Sequence, residues 1–221
     1  MRILNLYACL GGNRYKWNEV KKDIEVTAVE LDEELAKLYQ ERFPDDKVIV
    51  ADAHQYLLDH YKEFDFIWSS PPCPTHSRAR GWNPKYKYIY PDMKLYEEII
   101  MLETVAKGKN PRFKGQYVVE NVIPYYEPLI PGSKRNRHLY WTNFKLPKIL
   151  SNRKHTFMGL ANELNNWINF HDYNFKKYKG KQSINKIARN LVDYEAGKTI
   201  LEAVLNINKN NYKQTSLFDE S

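Results

Sequence analysis

Only two cysteines, Cys9 and Cys73, occur in this chain of 221 residues. Two thiols cannot build a disulfide framework or an all-cysteine zinc site. So few of them suit a reduced, cytoplasmic setting in which one thiol is kept for chemistry. Nothing in the sequence points to a metal site. No apolar run approaches the ~20 residues of a membrane-spanning helix, and strand-like sequence begins at once without a secretory leader. No membrane association is therefore expected. Internal repeats are absent as well. The length suits one domain with a sizeable core, and ordinary apolar content with generous aromatic content favours a folded globule, expected to be a monomer.

Acidic residues are outnumbered, 27 against 34 Lys and Arg, which leaves a net charge of +7. Such an excess favours a polyanionic partner through counterion release. Lys134, Arg135, Arg137, Lys145, Lys148, Arg153 and Lys154 crowd one stretch. Lys176, Lys177, Lys179, Lys181, Lys186 and Arg189 crowd another. Tyr140, Trp141, Phe144, Trp167, Phe170, Tyr173, Phe175 and Tyr178 are interleaved with them. A solvated basic face has the same composition, and nucleic acid is the preferred reading.

Strand-like runs at Ile3–Ala8, Glu25–Leu31, Lys47–Ala51, Phe64–Ser69 and Gln116–Val122 alternate with helical patterns. Those patterns lie at Asp32–Phe43, Ala53–Tyr61 and Asp92–Lys107, with Asp32 and Asp52 as N-caps. The rhythm predicts an α/β fold, a Rossmann-like, doubly wound and mostly parallel sheet whose ligands bind at the strands' carboxyl ends. Residues 71–91 form a long loop of the kind that is usually functional. His138–Phe144 reads as a further strand, 145–182 resists assignment, and Leu191–Leu205 reads as an amphipathic helix. The expected division is a core at 1–144, a small region at 145–182, a returning helix at 183–205 and a polar, flexible tail at 206–221.

The first strand leads into NLYACLGGNRY (Asn5–Tyr15), where Gly11 and Gly12 allow backbone N–H groups to approach a ligand closely. Glu30 ends the second strand and is placed to accept from two ribose hydroxyls. Asp52 follows the third strand and could receive an adenine amino group. Together these three strand ends read as a nucleoside site. The fourth strand runs into SSPPCPTHS (Ser69–Ser77), where prolines stiffen the backbone around Cys73. A thiolate nucleophile needs an exposed, electropositive seat. The flanking proline, threonine, histidine and arginine argue against a buried, structural cysteine.

PPCPTHS resembles the nucleophile loop of the DNA cytosine-5 methyltransferases, and NLYACLGG resembles that family's cofactor loop. VVENV (Val118–Val122) is similar to its Glu-Asn-Val motif, RNRHLYW (Arg135–Trp141) to its Arg-x-Arg strand, and ARNLV (Ala188–Val192) to its Asn-x-Val motif. The resemblance implies the fold of S-adenosylmethionine-dependent methyltransferases. It also implies S-adenosylmethionine as cofactor, held around Tyr7, Ala8, Gly11, Gly12, Glu30, Leu31, Asp52, Ala53, Pro72 and Asn190. In the implied reaction a cytosine flipped from duplex DNA is attacked at C6 by Cys73, while Glu120 holds or donates a proton at N3. Arg135 or Arg137 contacts the base O2 or a phosphate, with His138 as the alternative to Arg137, and Asn121 braces the Cys73 loop. The chain differs from the family pattern in having Cys9 for a glycine, Arg189 for a glycine, and Asp193-Tyr194 for a proline pair.

The same resemblance makes 145–182 a reduced target recognition region. A short or degenerate site is expected, bound largely through phosphates or with a partner supplying specificity. Ser77, Arg78, Arg80, Lys134 and Lys154 are the candidate contacts to double-stranded DNA. Gln214, Leu217 and Phe218, within QTSLF, resemble the short motif by which bacterial replication proteins bind the sliding clamp. A restriction-modification or phage setting fits such an enzyme. Two alternatives stay open: a cytosine-5 enzyme acting on tRNA, and a catalytically silent relative that binds DNA or the clamp.

Overall fold

The five apolar runs of the first half form β1 (Arg2–Leu6), β2 (Glu25–Glu30), β3 (Lys47–Val50), β4 (Phe66–Ser69) and β5 (Gln116–Val122). The structure, a computed structural model, describes residues 1–78, 87, 89–154, 157 and 159–207. A hairpin of β6 (Ser133–Arg135) and β7 (His138–Thr142) completes a seven-stranded sheet of order β3-β2-β1-β4-β5-β7-β6. The first five strands are mutually parallel, while β7 pairs antiparallel with β5 and β6. Strand order reverses between β1 and β4, the switch point at which a doubly wound sheet opens a crevice. This is the Rossmann-like, doubly wound and mostly parallel sheet expected from the sequence; the short strand β6 was not anticipated.

Three helices connect the parallel strands: α2 (Glu33–Arg42), α3 (Ala53–His60) and α4 (Lys94–Ala106). Asp32 caps α2 by accepting from the backbone N–H of Glu34 and Leu35, and Asp52 caps α3 through His54 and Gln55. Side-chain caps of this kind typically contribute about 1 kcal/mol. Leu4, Leu6, Val29, Ile67, Val119 and Leu139 on one sheet face share a core with Leu57, Ile99 and Leu102 of α3 and α4. Burying each is worth about 1.5–3 kcal/mol. A slip of one residue would turn a whole strand's set outward, so this core sets the register.

Two compact units are present, Met1–Ala8 with Glu25–Asn143, and Cys9–Ile24 with Phe144–Ser221. The sheet and α2–α4 belong to the first. Within the second lie α1 (Trp17–Val20), α5 (Glu163–His171), α6 (Ile184–Asn190) and α7 (Tyr194–Val204). The helix expected over Leu191–Leu205 is α7, which begins at Tyr194, and a break separates it from α6, which was not anticipated. Leu191 and Asp193 are extended, and Asp193 caps α7 through the N–H of Glu195. The same carboxylate accepts from Ser151 Oγ and Arg153 Nη1, each at 2.6 Å. Gly12 and Gly197 have no room for a side chain. A Cβ on Gly12 would lie 2.2 Å from Val192 O, and one on Gly197 would lie 2.1 Å from Asn13 O.

Most of the aromatics interleaved with the basic runs turn out to be core, with Phe144 and Tyr173 partly buried. Trp167, Phe170, Phe175 and Tyr178 are buried, while Lys176, Lys177 and Lys179 beside them are exposed. Those four rings are therefore not stacking platforms for a nucleic acid. Arg189, which replaces a family glycine, makes a two-pronged ion pair with Glu163, Nε to Oε1 at 2.5 Å and Nη2 to Oε2 at 2.7 Å. The guanidinium holds the Glu163 carboxyl down to about 2. A depressed carboxyl contributes stability above its unfolded value of about 4.3, and that stability is lost as pH falls through the folded value. Arg189→Ala is therefore expected to destabilise the protein by about 1–3 kcal/mol at pH 7, allowing for the exposure of Arg189. Urea unfolding checks this, and the gap to the native protein should narrow between pH 5 and pH 2.

Candidate active site

Parallel pairing of β4 with β5 aligns Ser69 with Val119, so Glu120 lies one residue past the end of β4 in register. From Ser69 the chain runs through Pro71 and Pro72 to Cys73, which is neither fully buried nor fully exposed. Asn121 Nδ2 donates to the Pro71 carbonyl at 2.9 Å in a buried bond, and its Oδ1 accepts from Val122 N. The Cys73 carbonyl accepts from the N–H groups of His76 and Ser77, each at 3.0 Å, closing a tight turn behind the thiol. Beyond it Ser77 bridges Pro124, Tyr125 N donates to His76 O, and Arg78 Nε donates to Pro124 O. His76 is buried with Nδ1 at 2.6 Å from the Tyr126 hydroxyl, and burial lowers its pKa. The Cys73 loop is thus tied to β5 itself on one side of the cysteine and to the residues after β5 on the other.

Glu120 is buried and pairs across the ladder with Tyr140, which puts His138 on the same face. His138 Nε2 stands 3.8 Å from Glu120 Oε2. Arg135 ends β6, and Arg137 with Asn136, which has φ of 51°, forms the two-residue turn of the β6–β7 hairpin. Arg135 Nη1 donates to Lys134 O, and the exposed Arg137 lends its carbonyl to Ile123 N. Of the candidates, His138 is the one brought beside Glu120. Strand parity could have found it, since positions 138 and 140 face one way.

At the other strand ends, Tyr7 takes a left-handed φ of 54° and donates its hydroxyl to Glu98 Oε1 at 2.5 Å. Burial, reinforced by the Glu98 charge, pushes the Tyr7 hydroxyl far above its ordinary value. Ser69 Oγ donates to the other Glu98 oxygen at 2.5 Å, and His54 Nδ1 lies 3.1 Å from the first. Glu98 was missed at the level of sequence. Its signal is a carboxyl on the apolar face of α4, beside Leu95, Ile99 and Leu102. Asp52 receives Lys94 Nζ at 3.0 Å, and that ammonium holds its carboxyl below the usual range. Glu30 Oε1 accepts from Asp32 N, Leu31 is 70% exposed, and Pro72 is exposed. Ala8 and Ala53 are buried, which leaves their backbone for any contact.

Gly11, with φ of 65°, Gly12 and the exposed Asn190 belong to the second unit. Lys134 is exposed on β6 and Lys154 in the second unit. Arg80, Gln214, Leu217 and Phe218 lie outside the described residues. Among the described residues no group of three His, Cys, Asp or Glu is placed to hold a metal ion, and no helix is long and apolar enough to cross a membrane.

A cysteine on the loop after one strand and a buried acid on the next strand are the pair that the family resemblance calls for. Residues 1–94 match the family model of the C-5 cytosine-specific DNA methylases. The matched segment contains Cys73 and the strand ends at Tyr7, Glu30 and Asp52. No curated protein matches the chain. Among solved structures, a Spodoptera frugiperda DNMT2 variant is 25% identical, with 55% of this chain and 35% of that one covered and a TM-score of 0.37. A prophage-encoded Escherichia coli protein assigned as a DNA modification methyltransferase is 17% identical over 57% of this chain and 34% of that one, with a TM-score of 0.37. A TehB-like S-adenosylmethionine-dependent methyltransferase from Corynebacterium glutamicum is 16% identical over 55% and 54%, with a TM-score of 0.33. The chain spans about a third of the length of the insect and prophage proteins.

S-adenosylmethionine is the cofactor that the methylase family implies, and the strand ends suit it. Glu30 offers a carboxylate to a ribose diol, and the exposed Leu31 next to it offers an apolar surface to a purine. In the same unit Asn121 satisfies the buried Pro71 carbonyl, so Asn121→Ala leaves that acceptor orphaned. The expected cost is about 1–3 kcal/mol, seen as a lower midpoint in urea. An unchanged midpoint would show that the loop holds itself.

Proposed function

We propose that this protein transfers a methyl group from S-adenosylmethionine to C5 of cytosine in double-stranded DNA, with Cys73 as the nucleophile. The observation that carries the reading is Cys73 following β4, within the segment that matches the methylase model, beside Glu120 on the adjacent strand. Bound at the strand ends, the cofactor supplies an electrophilic methyl group on a sulfonium. Glu30 would hold its ribose, with Leu31, Asp52 and the backbone at Ala8 and Ala53 around it.

The target base leaves the stack before reaction, because neither ring face is accessible within a duplex. The Cys73 thiolate donates an electron pair to form an S–C6 bond. The C5–C6 π pair shifts into the ring, and Glu120 supplies a proton at N3 so that no charge accumulates there. C5 is then an enamine carbon able to accept the methyl group. A base removes the C5 proton, the C5–C6 double bond re-forms, the thiolate leaves with the S–C6 pair, and the N3 proton returns to Glu120. His138, 3.8 Å from Glu120, is suited to orient that carboxyl. Asn121 and the turn at residues 73–77 keep the thiol from swinging. Lys134, Lys154, Arg78 and Ser77 would meet phosphates.

Incubation of the protein with labelled S-adenosylmethionine and unmethylated duplex DNA should yield 5-methylcytosine, and Cys73→Ala should reduce transfer to background. DNA carrying 5-fluorocytosine should trap the native protein as an adduct stable to denaturant, because fluorine blocks loss from C5; Cys73→Ala should form none. Transfer to tRNA with none to DNA would overturn the substrate. Transfer surviving in Cys73→Ala would overturn the covalent route.

A further inference from the structure

Glu98 is a carboxyl 1% exposed on the apolar face of α4, where a charged group is costly unless fully hydrogen-bonded. Its donors come from three other places. Tyr7 Oη (2.5 Å) follows β1, Ser69 Oγ (2.5 Å) ends β4, and His54 Nδ1 (3.1 Å) opens α3. Each donor is adjacent to residues assigned above to the cofactor or the nucleophile: Tyr7 to Ala8, His54 to Ala53, and Ser69 to the loop that leads to Cys73. The remaining charges nearby are already engaged. Lys94 pairs with Asp52 at 3.0 Å, and Glu97 Oε2 lies 3.1 Å from His54 Nε2. Asp92, preceding α4, acts on Tyr7 only through its charge.

We propose that Glu98 is a positioning residue for S-adenosylmethionine, its buried carboxylate joining the ends of β1 and β4 and the start of α3 in one arrangement. This rests on the cofactor reading above. Loops fixed before binding need no ordering at the moment of binding, so loss of the carboxylate acts on affinity. His54 strengthens the junction when protonated. The hydrogen bond that it donates to Glu98, with the charges of Glu98 and Glu97, raises its pKa above the ordinary imidazole value, and burial and Lys94 oppose that rise. The charged pair is complete below about pH 6.5 and is lost as pH rises through the raised value.

The test is calorimetric binding of S-adenosylhomocysteine to the full chain between pH 6 and 9, for the native protein, Glu98→Gln, Ser69→Ala and His54→Gln. Glu98→Gln should weaken binding about tenfold or more, the equivalent of one charge-assisted hydrogen bond, and in turnover should raise KM for the cofactor far more than it lowers kcat. Native affinity should fall with rising pH, while Glu98→Gln and His54→Gln should be nearly flat. Ser69→Ala, which keeps the carboxylate, should weaken binding by less. If Glu98→Gln does not fold, the Ser69 and His54 variants decide: weaker binding supports the proposal, and native affinity in both overturns it. Native-like affinity in a folded Glu98→Gln with a lowered melting point would make Glu98 a packing residue and overturn it alone. No binding by the native protein would overturn the cofactor reading and this proposal together.

Discussion

Parallel pairing of five neighbouring strands brings their carboxyl ends to one edge of the sheet, and the chemistry of the first unit depends on it. Tyr7, Glu30, Asp52, Cys73 and Glu120 are scattered over more than a hundred positions, yet the first three sit at or just past a strand end, Cys73 lies on the loop after β4, and Glu120 stands two residues before the end of β5. Register makes the arrangement definite. Ser69 opposite Val119 fixes where β4 stops relative to Glu120, and Glu120 opposite Tyr140 selects the residues of β7 that share its face. The core of Leu, Ile and Val on the α3–α4 face holds that register, because a slip would expose every member at once.

Much of this was legible in the sequence, since strand and helix periods are local properties. The five parallel strands, α2–α4 and two aspartate caps follow from patterning read a few residues at a time. The pairing of β7 with β5 fixes which side chain meets Glu120, and that is a long-range fact no local pattern carries. The ladder therefore decides between Arg137 and its alternative His138 in favour of His138. Glu98 stayed hidden for a related reason: a carboxyl inside an amphipathic helix looks like surface until its partners, 91, 44 and 29 positions away, are known. The aromatics among the basic runs misled because lysine and ring alternate closely in sequence while the helical and turn backbone sends them to opposite sides.

The departures from the methylase pattern are absorbed locally. Cys9 has φ of 49°, the left-handed region that a glycine would occupy without strain, at a cost of about 1–2 kcal/mol. Arg189 finds a carboxylate in Glu163 that also accepts from Gly159 N and Trp167 Nε1, so the larger side chain is part of a satisfied cluster. Where the family has a proline pair, Asp193 starts α7 with its own side chain. At Arg189 and Asp193 the exchange supplies a hydrogen-bonded feature in place of a backbone-defined one.

Asp193 also determines how this protein can be re-engineered. Its carboxylate begins α7 and simultaneously grips Ser151 and Arg153, and Arg153 in turn stacks against Phe170 and Tyr194 at 3.8 and 3.9 Å. The basic stretch before α5 is therefore not an interchangeable cassette. A segment grafted from a larger relative would have to bring its own serine and arginine, or a different helix start along with it. The second unit is inherited as a set of mutually dependent parts, and its size is set by that dependence.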